Sequence, residues 1–210
     1  MSQILKPYST VLNFETGVLE SFKKKGQVKL SGLMEFFSDR ETADEVLSRG
    51  EDPVVYEVFE HPQPEVNGQI NFGVTIIYPG KVGKEYYLTR GHYHTKETAA
   101  ELYIGLAGEG MMIMQTKDGQ VSSLPIRAGD VVYVPPFWAH RTVNLGKEKL
   151  SFFFAYPSDG GHDYDAIRQR GFAKIVIEEK GRPKVVDNSA RANLGWPSTH
   201  CECLATQVYY

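Results

Sequence analysis

Cysteine is scarce in this sequence: two of the 210 residues are cysteines, Cys201 and Cys203, separated by one residue. Thiols this close together cannot staple a core, so a disulfide scaffold is excluded and we expect a reducing, cytoplasmic location. Apolar runs long enough to span a bilayer are also missing, so we expect no membrane partner. The first ten residues contain no basic stretch followed by an apolar one, and we therefore expect no secretory signal.

Charge of one sign is not in large excess either. Lysine and arginine number 23 against 26 aspartates and glutamates, which gives a net charge of −3. This weakly acidic balance, without a basic stripe, disfavours binding to nucleic-acid phosphates, so we expect no nucleic-acid partner. The short basic run Lys23–Lys25 is predicted to be a solvated turn before Gly26.

Glycine and aromatic residues, by contrast, are plentiful: the chain has 20 Gly, 12 Tyr and 11 Phe, with 11 Pro among them. Short strands joined by tight turns have this composition. Turn sequences such as Asn67-Gly68 and Asp118-Gly119 separate a series of apolar or alternating runs. These runs predict strands over Val54–Phe59, Gln69–Tyr78, Tyr86–Arg90, Glu101–Ala107, Gly110–Thr116, Val121–Pro125, Val131–Val134, His140–Val143 and Ser151–Tyr156. Many short strands with no helices between them favour an all-β sandwich or barrel.

Three stretches are predicted within a single domain. Residues 1–52 form an N-terminal extension with one short helix, residues 53–187 form the barrel, and residues 188–210 form a loosely held C-terminal tail. The end of the barrel stretch contains one more candidate helix and two candidate edge strands, over Asp163–Gln169, Phe172–Glu178 and Lys184–Val186.

The helix of the N-terminal extension is predicted over Asp39–Arg49. Asp39 can cap its first turn, Glu41 lies in that turn, and Gly50 follows as a stop signal. The preceding run, Leu33–Phe37, fits either a turn of helix or a strand, and the sequence does not decide between them.

A possible metal site lies in and after the segment Gly91-His-Tyr-His. His92 and His94 are two residues apart, so on a strand they project to the same face. Glu101 begins the next apolar strand, and His140 begins another. Three imidazoles and one carboxylate suit Fe(II), Mn(II), Ni(II) or Zn(II) and leave positions open for water or substrate. Glu97 is a rival carboxylate, but its polar surroundings indicate solvent exposure, and we favour Glu101.

This constellation resembles the cupins. Their first motif places Gly before His-x-His, then a Glu, and then a Gly that here corresponds to Gly108. Their second motif corresponds to Gly129, Pro135, His140 and Asn144. Two departures stand out, because the gap between His94 and Glu101 is longer than usual and Phe137 replaces a glycine.

Both departures resemble features of one cupin subfamily, the cupin-type glucose-6-phosphate isomerases of archaea and some bacteria. The residues that match its signature are Thr89, Gly91, His92, His94, Glu101, Tyr103, Tyr133, Pro135, Pro136, Ala139, His140, Arg141 and Asn144. The segment from Tyr156 to His162 also resembles that family.

The resemblance implies a homodimeric double-stranded β-helix with one divalent metal per subunit, Fe(II) being favoured, that interconverts glucose 6-phosphate and fructose 6-phosphate. It implies His92, His94, Glu101 and His140 as metal ligands. The substrate contacts that it implies are Thr75, Thr89, Gly91, Tyr103, Tyr156 and His162. We expect Glu101, His162 and Tyr156 to be the catalytic residues, with Glu101 either a pure ligand or a ligand that also takes the proton.

The sequence has no Gly-rich loop that leads into a helix and could bind a phosphate there. Hydroxyls, backbone N–H groups and a cation must therefore bind the phosphate. Arg90, Lys96 and Arg141 are the candidate cations. For Tyr103, Tyr133 and Tyr156 taken singly, core packing is the simpler explanation. His162 stands in a glycine-rich loop, which favours a substrate contact or a proton relay. The pair of thiols in His200–Cys203 is a weak signal for a soft metal.

Two other functions fit the same scaffold. A non-haem iron dioxygenase or a metal-dependent decarboxylase would use the same ligands, but neither explains the set Thr89, Tyr156 and His162. A non-catalytic sugar-binding cupin would need no open metal site.

Overall fold

The computed structural model describes residues 6–190, and within them the chain is built almost wholly of strands. The strands are β1 (Leu12–Asn13), β2 (Val18–Leu19), β3 (Lys24–Lys29), β4 (Val54–His61), β5 (Ile70–Ile77), β6 (Lys81–Val82), β7 (Glu85–Tyr86), β8 (Glu101–Ala107), β9 (Glu109–Thr116), β10 (Val121–Arg127), β11 (Val131–Val134), β12 (Trp138–Asn144), β13 (Leu150–Pro157), β14 (Lys174–Glu179) and β15 (Arg182–Asp187). The helices are α1 (Arg40–Ser48) and α2 (Tyr164–Arg170), with 3₁₀ turns over Leu30–Gly32 and Met34–Phe36. This content confirms the predicted all-β class.

Two antiparallel sheets form the barrel. One has six strands in the order β11-β8-β13-β5-β4-β3, and the other has three in the order β10-β9-β12. Most neighbours are distant in the chain, since β13 pairs with both β5 and β8, β11 pairs with β8, and β12 pairs with β9. This wound arrangement is the predicted double-stranded β-helix, and it closes around one apolar core.

The core is filled by inward-facing side chains of both sheets. Phe152 on β13, Met112 on β9 and Ile126 on β10 are completely buried and belong to one cluster. Because successive side chains on a strand alternate between faces, Phe154 and Tyr156 follow Phe152 into the interior. Beyond the packed part of the barrel the same interior face lines a cavity.

The segment predicted as a strand over Tyr86–Arg90 is less regular than expected. Ladder pairing ends at Tyr86, and the extended chain then touches β12 through isolated bridges from Leu88 to Val143 and from His92 to His140. Gly91 adopts a positive φ of 71° between those bridges, which bends the chain and interrupts the ladder.

The N-terminal stretch contributes a strand to the barrel. β3 pairs with β4, with Lys24 opposite Glu60, so Lys24 and Lys25 lie in a strand and not in the predicted turn, while all three lysines are exposed as predicted. Main-chain pairing of β3, the edge strand of the six-stranded sheet, overrides the local preference of its charged side chains. Helix α1 is confirmed, with the Asp39 side chain accepting a hydrogen bond from the Thr42 amide, and the undecided run Leu33–Phe37 contains a 3₁₀ turn.

At the C-terminal side, α2 begins after an Asp163 cap, and β14 and β15 form where two edge strands were predicted. Of the two, only β15 is an edge strand, because β14 lies between β15 and β7. Asn188 was expected in a loose tail, yet it is buried, and its side chain donates a hydrogen bond to the Phe172 carbonyl. The first residue of the expected tail is therefore packed against the barrel and hydrogen-bonded to it. The His200–Cys203 motif lies outside the described residues. No helix in the described part of the chain is both long and apolar enough to cross a membrane.

Candidate metal centre and active site

Four side chains from three segments converge inside the barrel: His92, His94, Glu101 and His140. One ligand atom from each lies within 4.8 Å of the others. Glu101 Oε2 lies 3.0 Å from His140 Nε2, 3.3 Å from His94 Nε2 and 3.8 Å from His92 Nε2. The bridge between the backbones of His92 and His140 places two of the imidazoles side by side.

The polar atoms at the centre of this cluster fit a cation. The Nε2 atoms of the three histidines and Oε2 of Glu101 are buried and have no hydrogen-bond partner of acceptable geometry among the described residues. Buried polar atoms normally have partners, and leaving several unpaired in one place is costly. Imidazole nitrogens and a carboxylate are the donor set that Fe, Mn, Ni or Zn accepts. The cluster therefore has both the space and the chemistry for one divalent ion.

The tautomer of His94 is set by a backbone contact. Its Nδ1 atom lies 3.1 Å from the carbonyl oxygen of Gly161. A carbonyl can only accept, so Nδ1 carries the proton and the lone pair of Nε2 faces the cluster. The loop containing Gly161 thus orients a candidate ligand from outside the cluster.

The charge state of the cluster also favours a cation. Burial by itself raises the pKa of Glu101, but the neighbouring His140 and His94 outweigh burial and hold that pKa at about 2. Burial, followed by the neighbouring His140, His162 and His94, lowers the pKa of His92 well below its ordinary value. An ionised carboxylate beside a neutral imidazole is the state in which both groups bind metals.

A cavity adjoins the cluster and is lined by the interior faces of both sheets. Its lining includes the metal-cluster residues His92, Glu101 and His140 and every substrate contact that the sequence suggested, which are Thr75, Thr89, Gly91, Tyr103, Tyr156 and His162. Strands β5, β8 and β13 each contribute one of these side chains, and for that reason residues far apart in the chain share one wall.

His162 lies at the centre of an aromatic group. Its ring centroid is 4.2 Å from that of His92, 5.0 Å from Tyr156 and 5.6 Å from Tyr164. Burial lowers the pKa of His162 to about 4, so the imidazole is neutral near pH 7. Burial raises the pKa of Tyr156 and Tyr103 above the ordinary value, so both phenols keep their protons.

Among the three candidate cations, Arg90 is the one that lines the cavity. Lys96 pairs with Asp159 at 2.8 Å instead. Arg141 follows His140 directly, and this adjacency places it on the opposite face of β12. There it is buried, and its guanidinium donates to the Arg90 carbonyl at 2.8 Å. The expectation that Lys96 or Arg141 meets the phosphate is not supported by these positions.

Several lining residues were missed from the sequence: Tyr56, Glu60, Thr142 and Tyr164. A period of two would have found some of them, since Thr142 follows His140 by two and Tyr164 follows His162 by two. Tyr56 and Glu60 carry no such signal, because β4 reaches the cavity only through its pairing with β5.

The structure also places Glu97, the rival carboxylate, and Tyr133, for which core packing was expected. Glu97 is paired with Lys117 at 2.5 Å, both side chains being about half exposed, which leaves Glu101 as the carboxylate of the cluster. Tyr133, for which core packing was the simpler explanation, is instead 57% exposed.

A protein-family profile described as "Glucose-6-phosphate isomerase (GPI)" matches residues 27–193. A curated Glucose-6-phosphate isomerase of Pyrococcus horikoshii is 51% identical over 183 residues, covering 87% of this chain and 96% of the relative. The chain belongs to the glucose-6-phosphate isomerase family. A bacterial member of this family, from Sinorhizobium medicae, is 37% identical over 90% of each chain. The resemblance carried by the His-x-His, Glu and Pro-Pro-x-x-Ala-His residues is thereby confirmed.

Solved structures of oxalate-converting enzymes overlap this member of the glucose-6-phosphate isomerase family in part. An oxalate oxidase matches with a TM-score of 0.45 and 18% identity over 56% of this chain and 58% of its own. The strand pairing described above defines the fold.

Proposed function

We propose that this enzyme interconverts glucose 6-phosphate and fructose 6-phosphate in the cavity beside the His92–His94–Glu101–His140 cluster. The observation that carries the proposal is that the metal cluster and the candidate substrate contacts line the same cavity. The cluster, with its unpaired buried donor atoms, forms one side of a cavity whose other sides present the hydroxyls, the backbone N–H and the guanidinium that a sugar phosphate needs. Membership of the glucose-6-phosphate isomerase family supports the same reaction.

His92, His94, Glu101 and His140 would hold one divalent ion per chain. When bound, that ion would polarise the oxygens on C1 and C2 and stabilise the negative charge that develops on them. We favour Fe(II), and the mixed nitrogen and oxygen donors also accept Mn(II), Ni(II) or Zn(II).

Glu101 is the candidate base for the proton that moves between C2 and C1. Its pKa of about 2 keeps it ionised at neutral pH, which is the protonation state that a base requires. In the forward direction the proton leaves C2 of the aldose and is returned to C1, which gives the ketose. A 1,2-hydride shift would leave Glu101 as a ligand only.

His162 and Tyr156 are our candidates for contacting the substrate oxygens on C1 and C2. A neutral imidazole accepts a proton on one nitrogen and donates from the other, while a protonated phenol donates. Their ring centroids are 5.0 Å apart, so one substrate hydroxyl can meet both groups. We assign them to the proton exchange between O1 and O2.

The phosphate group is assigned to Thr75, Thr89, the Gly91 N–H and Arg90. The Thr89 Oγ1 atom already accepts a hydrogen bond from the Thr142 amide at 3.1 Å, so its own proton remains available to donate to an anion. Arg90 supplies the positive charge and a planar set of N–H donors that suits phosphate.

The fully assembled enzyme is proposed to be a cytoplasmic homodimer. Val131 and Tyr133 on the edge strand β11 expose 63% and 57% of their surface, which makes this part of the six-stranded sheet a candidate contact. Light scattering during size-exclusion chromatography measures the mass directly. A monomer at micromolar concentration would contradict the dimer.

The decisive test of the reaction uses metal-stripped protein. Fructose 6-phosphate is added with Fe(II), Mn(II), Ni(II) or Zn(II) in turn, and glucose 6-phosphate is followed through a coupled dehydrogenase. We expect turnover that depends on the added ion, with Fe(II) effective. Absence of turnover from folded, metal-loaded protein would refute the proposal, and oxygen uptake or CO₂ release would then identify a dioxygenase or a decarboxylase.

A further inference from the structure

Two Lys–Glu ion pairs join β3 to β4, and they lie on opposite faces of the sheet. Lys24 Nζ lies 3.4 Å from Glu60 Oε2, and Lys25 Nζ lies 2.8 Å from Glu57 Oε1. Glu60 lines the active-site cavity, whereas Glu57 is not part of that lining and accepts a hydrogen bond from Tyr78. The same kind of ion pair therefore occurs once at the cavity and once away from it.

The Glu60 carboxylate acts on Tyr156 and Tyr164 in the cavity, while its partner Lys24 acts on His162. The Glu60 side chain is 20% exposed, but its Lys24 partner is 67% exposed. Water and salt screen an exposed ammonium far more than they screen a carboxylate that faces a cavity. The cation thus offsets only part of the negative charge that a ligand meets.

The cavity consequently has a positive end and a negative end. Tyr56 and Glu60 are four residues apart on one face of β4, which separates them by about 13 Å along the strand. Arg90 acts electrostatically on Tyr56, whose pKa burial raises and Arg90 lowers. Glu60 acts on Tyr156, whose pKa is raised first by burial and further by this carboxylate. Arg90 accordingly lies nearer the Tyr56 end and Glu60 nearer the Tyr156 end, with Tyr164, on which both charges act, between them.

We infer that Glu60 is a specificity-determining residue that makes the enzyme select sugar monophosphates over sugar bisphosphates. This inference rests on the proposed function, in which the C6 phosphate occupies the Arg90 end and carbons 1 and 2 lie beside Tyr156. A second phosphate on C1 lies at the Glu60 end and brings between one and two further negative charges close to a poorly screened carboxylate. Lys24 limits this repulsion by holding the carboxylate and partly neutralising it.

The test compares two ligands that differ only in the second phosphate: glucitol 6-phosphate and glucitol 1,6-bisphosphate. Calorimetry of metal-loaded protein gives the dissociation constant of each ligand. The dissociation constant of the bisphosphate divided by that of the monophosphate measures the selectivity. We expect Glu60→Gln to lower this ratio roughly tenfold relative to wild type, because repulsion of a few charges at this range has that order of effect. Lys24→Met should raise the ratio.

Glu57→Gln is the matched control, since it removes the same charge from the same strand on the other face. Its ratio should equal that of wild type. A second measurement needs no variant: raising the ionic strength should lower the ratio in the wild-type protein, because salt screens the carboxylate. An unchanged ratio in Glu60→Gln would overturn the inference, whatever the salt dependence of the wild-type protein.

The isomerase assay is run on the same wild-type preparation. If that preparation does not convert fructose 6-phosphate, the proposed function fails, while the binding ratios still decide the role of Glu60. If it converts fructose 6-phosphate and the ratios do not respond to Glu60→Gln, the inference fails and the proposed function stands.

Discussion

The side chain of Arg141 donates a hydrogen bond from Nη2 to the backbone carbonyl of Arg90 over 2.8 Å. Its other terminal nitrogen reaches the Phe36 carbonyl at 3.4 Å, and its guanidinium lies 4.6 Å from the ring centroid of Phe172. Arg141 thus supports from behind the bend that positions Arg90 on one side and His92 on the other.

Replacing Arg141 by Met should destabilise the fold and weaken substrate binding together. The two carbonyls lose a buried charged donor, and we expect a loss of about 2–4 kcal/mol in unfolding free energy. Displacement of Arg90 should raise KM for fructose 6-phosphate more than it lowers kcat. Denaturant unfolding and steady-state kinetics measure the two effects. Lys96→Met, which breaks a partly exposed ion pair, serves as the control and should change stability by less than about 1 kcal/mol.

Removing the metal with a chelator should abolish isomerisation and leave the β-sheet intact. The strand pairing and the apolar core do not depend on the four clustered side chains, although loss of a bound ion should lower Tm. Far-ultraviolet circular dichroism before and after chelation, with activity restored by added ion, measures this. Loss of the sheet signal would instead assign the ion a structural role.

Glu101→Gln should lower kcat by about 100-fold or more, because the amide cannot accept the proton. Metal content, measured by elemental analysis, should persist because the three imidazoles remain. Glu97→Gln provides the control, since Glu97 is an exposed carboxylate from the same stretch of chain. A Glu101→Gln enzyme with wild-type turnover would leave Glu101 without a role as base.

The two threonines assigned to the phosphate should respond differently to substitution by valine. Thr75→Val should raise KM with little change in kcat or stability, since valine conserves shape and strand preference. Thr89→Val should raise KM as well, and it should also cost about 1–3 kcal/mol because the buried Thr142 amide loses its acceptor. Kinetics combined with thermal unfolding separates the two effects. Equal stability of the two variants would contradict the structural role of Thr89.

His61 should make stability depend on pH. Its buried ring stacks on Phe72 with centroids 5.2 Å apart, and burial, followed by the charge of Lys23, lowers its pKa. A depressed pKa in the folded state means that His61 contributes stability above its ordinary pKa of 6.5, and this contribution is lost as the pH falls through the folded pKa. His61→Phe should keep the stacking and lose less stability between pH 7 and pH 5. Urea midpoints across that range test it, and parallel curves for both proteins would exclude His61 as the source.

The sequence by itself carried the local information. The period of two in the strands, the Asp39 cap and the turn glycines depend on neighbouring residues, so α1, α2 and most strands of the barrel were predicted to within a few residues. The four residues of the metal cluster were predicted because they lie in short local patterns. Strand geometry and the resemblance to the family both identify these patterns.

Tertiary structure decided what depends on strands that are far apart in the chain. Local pattern made Lys23–Lys25 a turn, but pairing with β4 draws Lys24 into a sheet and brings it to Glu60. The sequence made Arg141 one of three candidate cations for the phosphate, but the alternation of β12 turns its side chain away from the cavity. The sequence therefore determined which residue types and elements exist, while the register between distant strands determined which side chains share the cavity, because only backbone pairing across the barrel sets the face that each strand presents.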